Sequence, residues 1–168
     1  MLSLTAVQAE VERLAALIGA SGYVLPTFGH SEDGARPHIE IDARGYHFVI
    51  VERGEERRRV TTLDSDELLY QVFEAVTFSL ASDYELANRL ENQDCRRVLF
   101  RRQIELLHTL SATWAERESA DHNRVLREHP FDDVASIRAR LTAQLREHGY
   151  TADAAWHSAC ERYPLPKT

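Results

Sequence analysis

Two cysteines, Cys95 and Cys160, are all the thiol this chain has. They leave no disulfide framework and no paired-cysteine metal knuckle, and two reduced, mostly buried thiols inside helices are the expected state. Lysine is nearly absent: of the 20 basic residues 19 are arginine, with Lys167 the exception. Surface ion pairs should therefore be of the two-pronged kind that a guanidinium makes. The seven glycines never cluster behind a strand, so there is no phosphate-cradling loop. No serine sits in a Gly-x-Ser-x-Gly elbow, and no His-Glu-x-x-His occurs among the eight histidines. No apolar run approaches the roughly 18 residues that span a bilayer. Leu2 to Leu17 is broken by Glu10, Glu12 and Arg13, which makes it an amphipathic helix and not a signal peptide. These absences point to a cytoplasmic, non-enzymatic protein without metal, cofactor or membrane contact.

What is present is an ordinary globular composition, 43% hydrophobic and 28% charged over 168 residues, enough for one core and one domain. The net charge of −7 disfavours nucleic acid as a partner and is compatible with a basic protein. Arg57, Arg58 and Arg59 make no basic patch, because strand alternation sends neighbours to opposite faces.

The pattern predicts an α+β fold in a single domain, 1–168. Thr5 with Gln8 is a capping box opening a helix whose face is Val7, Val11, Leu14 and Ile18. Residues 26–37 read as a surface loop. A three-stranded antiparallel β-meander follows within 36–63, with strands His38–Asp42, Tyr46–Glu52 and Arg58–Leu63 joined by turns at Arg44-Gly45 and Arg53-Gly54. A helical core spans 64–133 and closing helices span 134–168, about five helices packed on one face of the sheet.

The long helix from Ser65 organises the rest. Leu69, Phe73, Val76, Leu80, Tyr84 and Ala87 recur at the helical period, so Phe73 and Tyr84 are expected in the core. Asp64 should cap this helix, which is expected to run continuously, with a kink allowed at Ser82. Asp94, Thr113, Asp132 or Asp133, and Thr151 should open the four later helices. Residues 64–91 carry seven acids against Arg89, a local charge of −6, whereas 92–110 carry four arginines against two acids. The bland reading is mutual surface pairing; the functional one is an acidic helix offered to a basic partner. Glu105 with His108, and Glu118 with His122, have helical spacing for a shared ligand. A di-iron site needs a second Glu-x-x-His that the chain lacks, so surface hydrogen bonds are expected.

Residues 67–86, ELLYQVFEAVTFSLASDYEL, followed by Asp94-Cys-Arg-Arg-Val-Leu-Phe, Gln103-Ile-Glu-Leu-Leu, Trp114-Ala-Glu-Arg-Glu and His129-Pro-Phe-Asp-Asp, resemble the immunity protein 63 family of bacterial polymorphic toxin systems. The likeness rests on the order and spacing of these motifs over about residues 64–133. It implies a small α+β protein that neutralises a cognate toxin, for example a basic nuclease, by direct stoichiometric binding, as a monomer or weak homodimer. Tyr70, Glu74, Asp83, Tyr84, Arg96 and Arg97 are the family-like positions, with Phe73 beside them. Glu67, Glu74, Asp83 and Glu85 are the candidate toxin contacts. The alternative is a ligand-binding or enzymatic domain with His38, His47 or Glu105 in a pocket between sheet and helices.

Overall fold

The computed structural model describes residues 1–166; Lys167 and Thr168 lie outside them. It is an α+β arrangement of α1 (Leu4–Leu17), β1 (Thr27–Phe28), β2 (Gly34–Asp42), β3 (Gly45–Glu52), β4 (Glu55–Thr62), α2 (Ser65–Ala87), α3 (Cys95–Leu110), α4 (Ala112–Glu128), α5 (Ala135–Glu147) and α6 (Ala152–Arg162). The backbone falls into two compact units. One comprises Met1–Leu80 with Gln103–Glu116; the other comprises Ala81–Arg102 with the chain from Arg117 onward.

The first unit holds the sheet, in the order β1-β2-β3-β4. Strands β2, β3 and β4 form the expected antiparallel meander, but the sheet has four strands and is mixed. Thr27 and Phe28 pair in parallel with His38 and Ile39, inside what the sequence presents as loop. A two-residue strand has no period to detect, and its partner lies beyond any local turn signal. Strand β2 also begins earlier than expected. The register slips between Gly34 and Pro37, where Ala35 takes a positive φ of 61°, so a bulge carries pairing across residues that read as a loop.

Cross-strand register sorts the side chains. Ile41, Tyr46 and Thr62 share a face with Ile39, Phe48 and Val60. On that face Ile39, Tyr46 and Phe48 join one cluster with Val7, Val11 and Leu14 of α1, Leu68, Val72, Phe73 and Val76 of α2, Leu107 of α3 and Trp114 of α4. Within this unit the core is built from the sheet face and residues of α1, α2, α3 and α4. Trp114 lies parallel to Phe73 with centroids 6.0 Å apart and meets Tyr70 edge-on at 6.4 Å. Its indole N–H donates to Asp66 Oδ2 at 3.2 Å, which satisfies the one polar atom of the ring.

Helix α2 is unbroken over 23 residues. Asp64 Oδ1 accepts from the backbone N–H of Asp66 at 2.9 Å, as its position predicts, and Asp66 and Glu67 lie in the first turn where the helix dipole favours acids. Asp94 and Thr151 also cap as expected. Two caps do not. Ser3 caps α1 in place of Thr5, and Ser111 in place of Thr113 accepts from the first turn of α4. Ser is the better cap of the two and is used in both places, whereas the capping-box spacing of Thr5 with Gln8 and of Thr113 with Glu116 points to the threonines. Val134 precedes α5 without a side-chain cap, because Asp132 and Asp133 are engaged elsewhere.

The second unit, residues 81–102 and 117–166, is fastened by those aspartates. Asp94 Oδ2 accepts from the Asp132 backbone N–H at 2.8 Å, and Asp133 Oδ1 accepts from the Asp94 N–H at 3.0 Å. Arg96 forks onto Asp94 and donates to the carbonyls of His129 and Pro130 at 2.8 and 2.9 Å. Arg138, buried, bonds Asp132 and reaches the carbonyls of Tyr163 and Pro164.

Candidate functional site

The acidic helix is less available than its charge suggests. Glu67 accepts from the Gln71 amide at 2.7 Å, and Gln71 in turn accepts from Arg58 of β4 at 2.6 Å. Glu74 stands 3.8 Å from the same arginine. Arg58 also lies 5.5 Å over the Phe48 ring, so it links strand, acid and core at once. Glu85 is 3% exposed and forks onto Arg89 at 2.9 and 2.7 Å, and that guanidinium holds its carboxyl below the usual range. Asp83 alone of the four candidates is exposed with no side-chain partner among the described residues. It follows Glu74 by nine residues, two and a half helical turns, so the two project from opposite sides of α2. The four carboxylates do not form one patch.

The family-like positions divide in the same way. Tyr70 and Phe73 are core. Tyr84, expected there too, is 42% exposed, with Arg102 over its ring at 5.0 Å. The buried line of α2 past Phe73 runs through Thr77, Ala81 and Glu85, one step round from the apolar stripe. Thr77 can be buried because its hydroxyl donates to the Phe73 carbonyl at 2.5 Å. Arg96 and Arg97 serve the Asp94–Asp133 fastening, Arg97 lying 4.1 Å over Phe131. The motifs Asp94-Cys-Arg-Arg and His129-Pro-Phe-Asp-Asp are thus two halves of one structural joint.

Histidines 38 and 47 project from the sheet face opposite the helical core, because each alternates with an Ile39 or Phe48 neighbour that points into it. Glu105 is exposed on α3. The expected pocket between sheet and helices therefore does not gather these three residues. On their own face the histidines make two polar chains. His38 Nε2 lies 3.0 Å from Glu40, which accepts from Arg59 at 2.8 Å; Arg59 also forks onto Glu56. His47 Nε2 lies 2.9 Å from Asp42 Oδ1, and its Nδ1 lies 2.9 Å from the Thr61 hydroxyl. Arg44 first, then His47, holds the Asp42 carboxyl far below the usual range. Arg59 likewise lowers Glu40. The sequence singled out His38 and His47 but not their partners, which the register of three strands brings together and no local spacing reveals. Arg58 and Arg59 do face opposite ways, and Arg57 pairs with Glu52 and Glu55 at the slip between Ile50 and Val51.

Among the described residues no group of three or more His, Cys, Asp or Glu side chains is placed to hold a metal, and no helix is long and apolar enough to cross a membrane. A cleft of about 350 Å³ between α1 and the β1 region is lined by Gln8, Glu12, Leu25, Thr27, His30 and Arg36. Arg36 there is spent on the carbonyls of Leu25 and Gly22 and on Glu32. Glu118 and His122, 3.1 Å apart, are buried on α4, with the imidazole stacked 3.8 Å from Phe100.

A family model described as Immunity protein 63 matches residues 42–124. The match takes in β3, β4, α2, α3 and most of α4, and it ends before His129-Pro-Phe-Asp-Asp. No curated protein and no solved structure matches the chain.

Proposed function

The chain belongs to the Immunity protein 63 family, and from that premise we propose that it protects a bacterial cell by binding a cognate protein toxin one to one, without turnover and without a cofactor. The match over residues 42–124 carries this reading. The polar clusters within that span support it, because most are consumed in holding the fold: Glu67, Gln71 and Glu74 around Arg58, Glu85 on Arg89, and Asp94 on Arg96. A toxin contact is then a matter of exposed surface, and Asp83 is the member of the acidic set that offers an uncompensated carboxylate. A negative surface favours a basic toxin, for which it raises the encounter rate more than the final affinity.

The test is co-expression with the toxin encoded beside this gene, scored by survival and by co-purification. Survival with a one-to-one complex is the expected result. Unrelieved killing with no complex overturns the reading.

One observation favours a second reading. Asp42, His47 and Thr61 form an acid–imidazole–hydroxyl chain, Nε2 2.9 Å from the carboxylate and Nδ1 2.9 Å from the hydroxyl, which joins the three group types that activate an oxygen nucleophile, on the opposite ring nitrogens from a serine-protease triad. Thr61→Val separates the two. Lost protection with toxin binding intact supports a catalytic chain, and intact protection leaves the relay a cross-strand hydrogen-bond ladder.

A further inference from the structure

The last turn of α2 turns apolar side chains outward. Leu86 is 63% exposed, and Leu90, three residues past the helix end, is 55% exposed. Asp83, Leu86 and Ala87 stand at i, i+3 and i+4, which makes them neighbours on one helix surface with Cβ atoms about 5–6 Å apart. Tyr84, three residues before Ala87, borders the same strip, and the Arg102 guanidinium behind its ring orders it in place. The carboxylates around the strip are unbalanced. Glu85, buried, is neutralised by the exposed Arg89, whereas the exposed carboxylates of Asp83 and Glu91 have no partner among the described residues.

We propose that this turn is the docking surface for the toxin, and that it receives a segment presenting an apolar side chain flanked by arginine or lysine. The proposal rests on the immunity reading above. Charge complementarity selects the occupant: a partner cation meets Asp83 or Glu91 while its apolar neighbour covers Leu86 and Leu90. A second copy of this chain would set two acidic rims against each other, and nucleic acid would bring phosphates of the same sign. Tyr84 with the Arg102 guanidinium behind its ring is also a pairing of residue types enriched at binding hot spots, where a few anchors carry most of the energy.

The experiment uses the full chain and the toxin domain encoded beside its gene, inactivated for expression, with Kd measured by calorimetry at two salt concentrations. Wild type binds. Asp83→Lys and Leu86→Gln each raise Kd at least about tenfold, the loss expected of a contact at an interface centre. Glu161→Lys, an exposed reversal on α6, leaves Kd unchanged and so controls for net charge. If Leu86→Gln lowers the thermal midpoint, Leu90→Gln outside the helix replaces it and must weaken binding equally. Tight wild-type binding with every variant unchanged overturns this surface and leaves the immunity reading standing. No wild-type binding overturns both. A wild-type dimer in sedimentation that Leu86→Gln dissolves assigns the strip to a second copy and overturns the toxin as its occupant.

Discussion

Arg97 clasps Asp133, 36 residues along the chain, through parallel hydrogen bonds of 2.7 and 2.9 Å. Both side chains are about two-fifths exposed, whereas the neighbouring Arg96–Asp94 pair is largely buried. That difference in burial should separate their energetic weight. Arg97→Ala should have the smaller effect, because solvent screens an exposed pair. Asp94→Ala strips the N-cap of α3, the acceptor for the Asp132 N–H and the counter-ion of Arg96 together, and should cost about 3–5 kcal/mol. Urea denaturation of the two variants, compared by midpoint, checks the ranking; equal losses would contradict it.

The same aspartate sets an acid limit. Burial pushes the Asp94 carboxyl up, but the Arg96 guanidinium and the N–H groups of Asp132 and Arg96 outweigh it and leave the group at about 2, below its ordinary 3.8. A depressed folded value means that its contribution is complete above about 4 and is lost as pH falls towards 2. Wild type should therefore lose stability steeply between pH 4 and 2. Asp94→Asn, less stable at neutral pH, should show a shallower slope across that interval. Thermal midpoints at half-unit pH steps give the comparison.

How far this joint and the sheet were legible follows from the range of each signal. Asp94 and Thr151 as caps, the turns at Gly45 and Gly54, and the core role of Phe73 all rest on neighbours within four residues, and all are found. Tyr84 misleads because periodicity counts apolar residues, and the true buried line of α2 passes through Thr77 and Glu85. The strand β1, the His47–Asp42–Thr61 relay and the meeting of Asp94 with Asp133 depend on separations of 5 to 39 residues that only tertiary structure brings to contact.

Gly45 makes the first meander turn possible. Its φ is +136°, and a Cβ there would lie 2.3 Å from the Thr62 carbonyl oxygen on the neighbouring strand. That contact is with backbone and cannot be relieved by a rotamer change. Gly45→Ala should destabilise by at least about 1–3 kcal/mol, the usual cost of forcing a side chain into such a conformation. Gly54→Ala has a positive φ of 75° but nothing within 4 Å, so it should cost less. A larger loss at Gly54 than at Gly45 would count against the β3–β4 pairing.

Glu85 and Asp83 are two residues apart on an acidic helix, yet opposite outcomes are expected for the same substitution. Glu85→Lys places a second cation against Arg89 in a buried position and should cost about 3–5 kcal/mol, because the charge it removes leaves nothing to balance its replacement. Asp83→Lys alters an exposed side chain without a partner and should stay within about 0.5 kcal/mol of wild type. Circular dichroism melts of the two single variants distinguish them. A reversal of Glu74, Asp83 and Glu85 together would lose toxin protection by unfolding whether or not the helix touches the toxin. Only the single Asp83 change, with its melting midpoint intact, reads out the surface; a destabilised Asp83→Lys would show that its carboxylate is bonded in solution and return the binding question to Leu86 and Leu90.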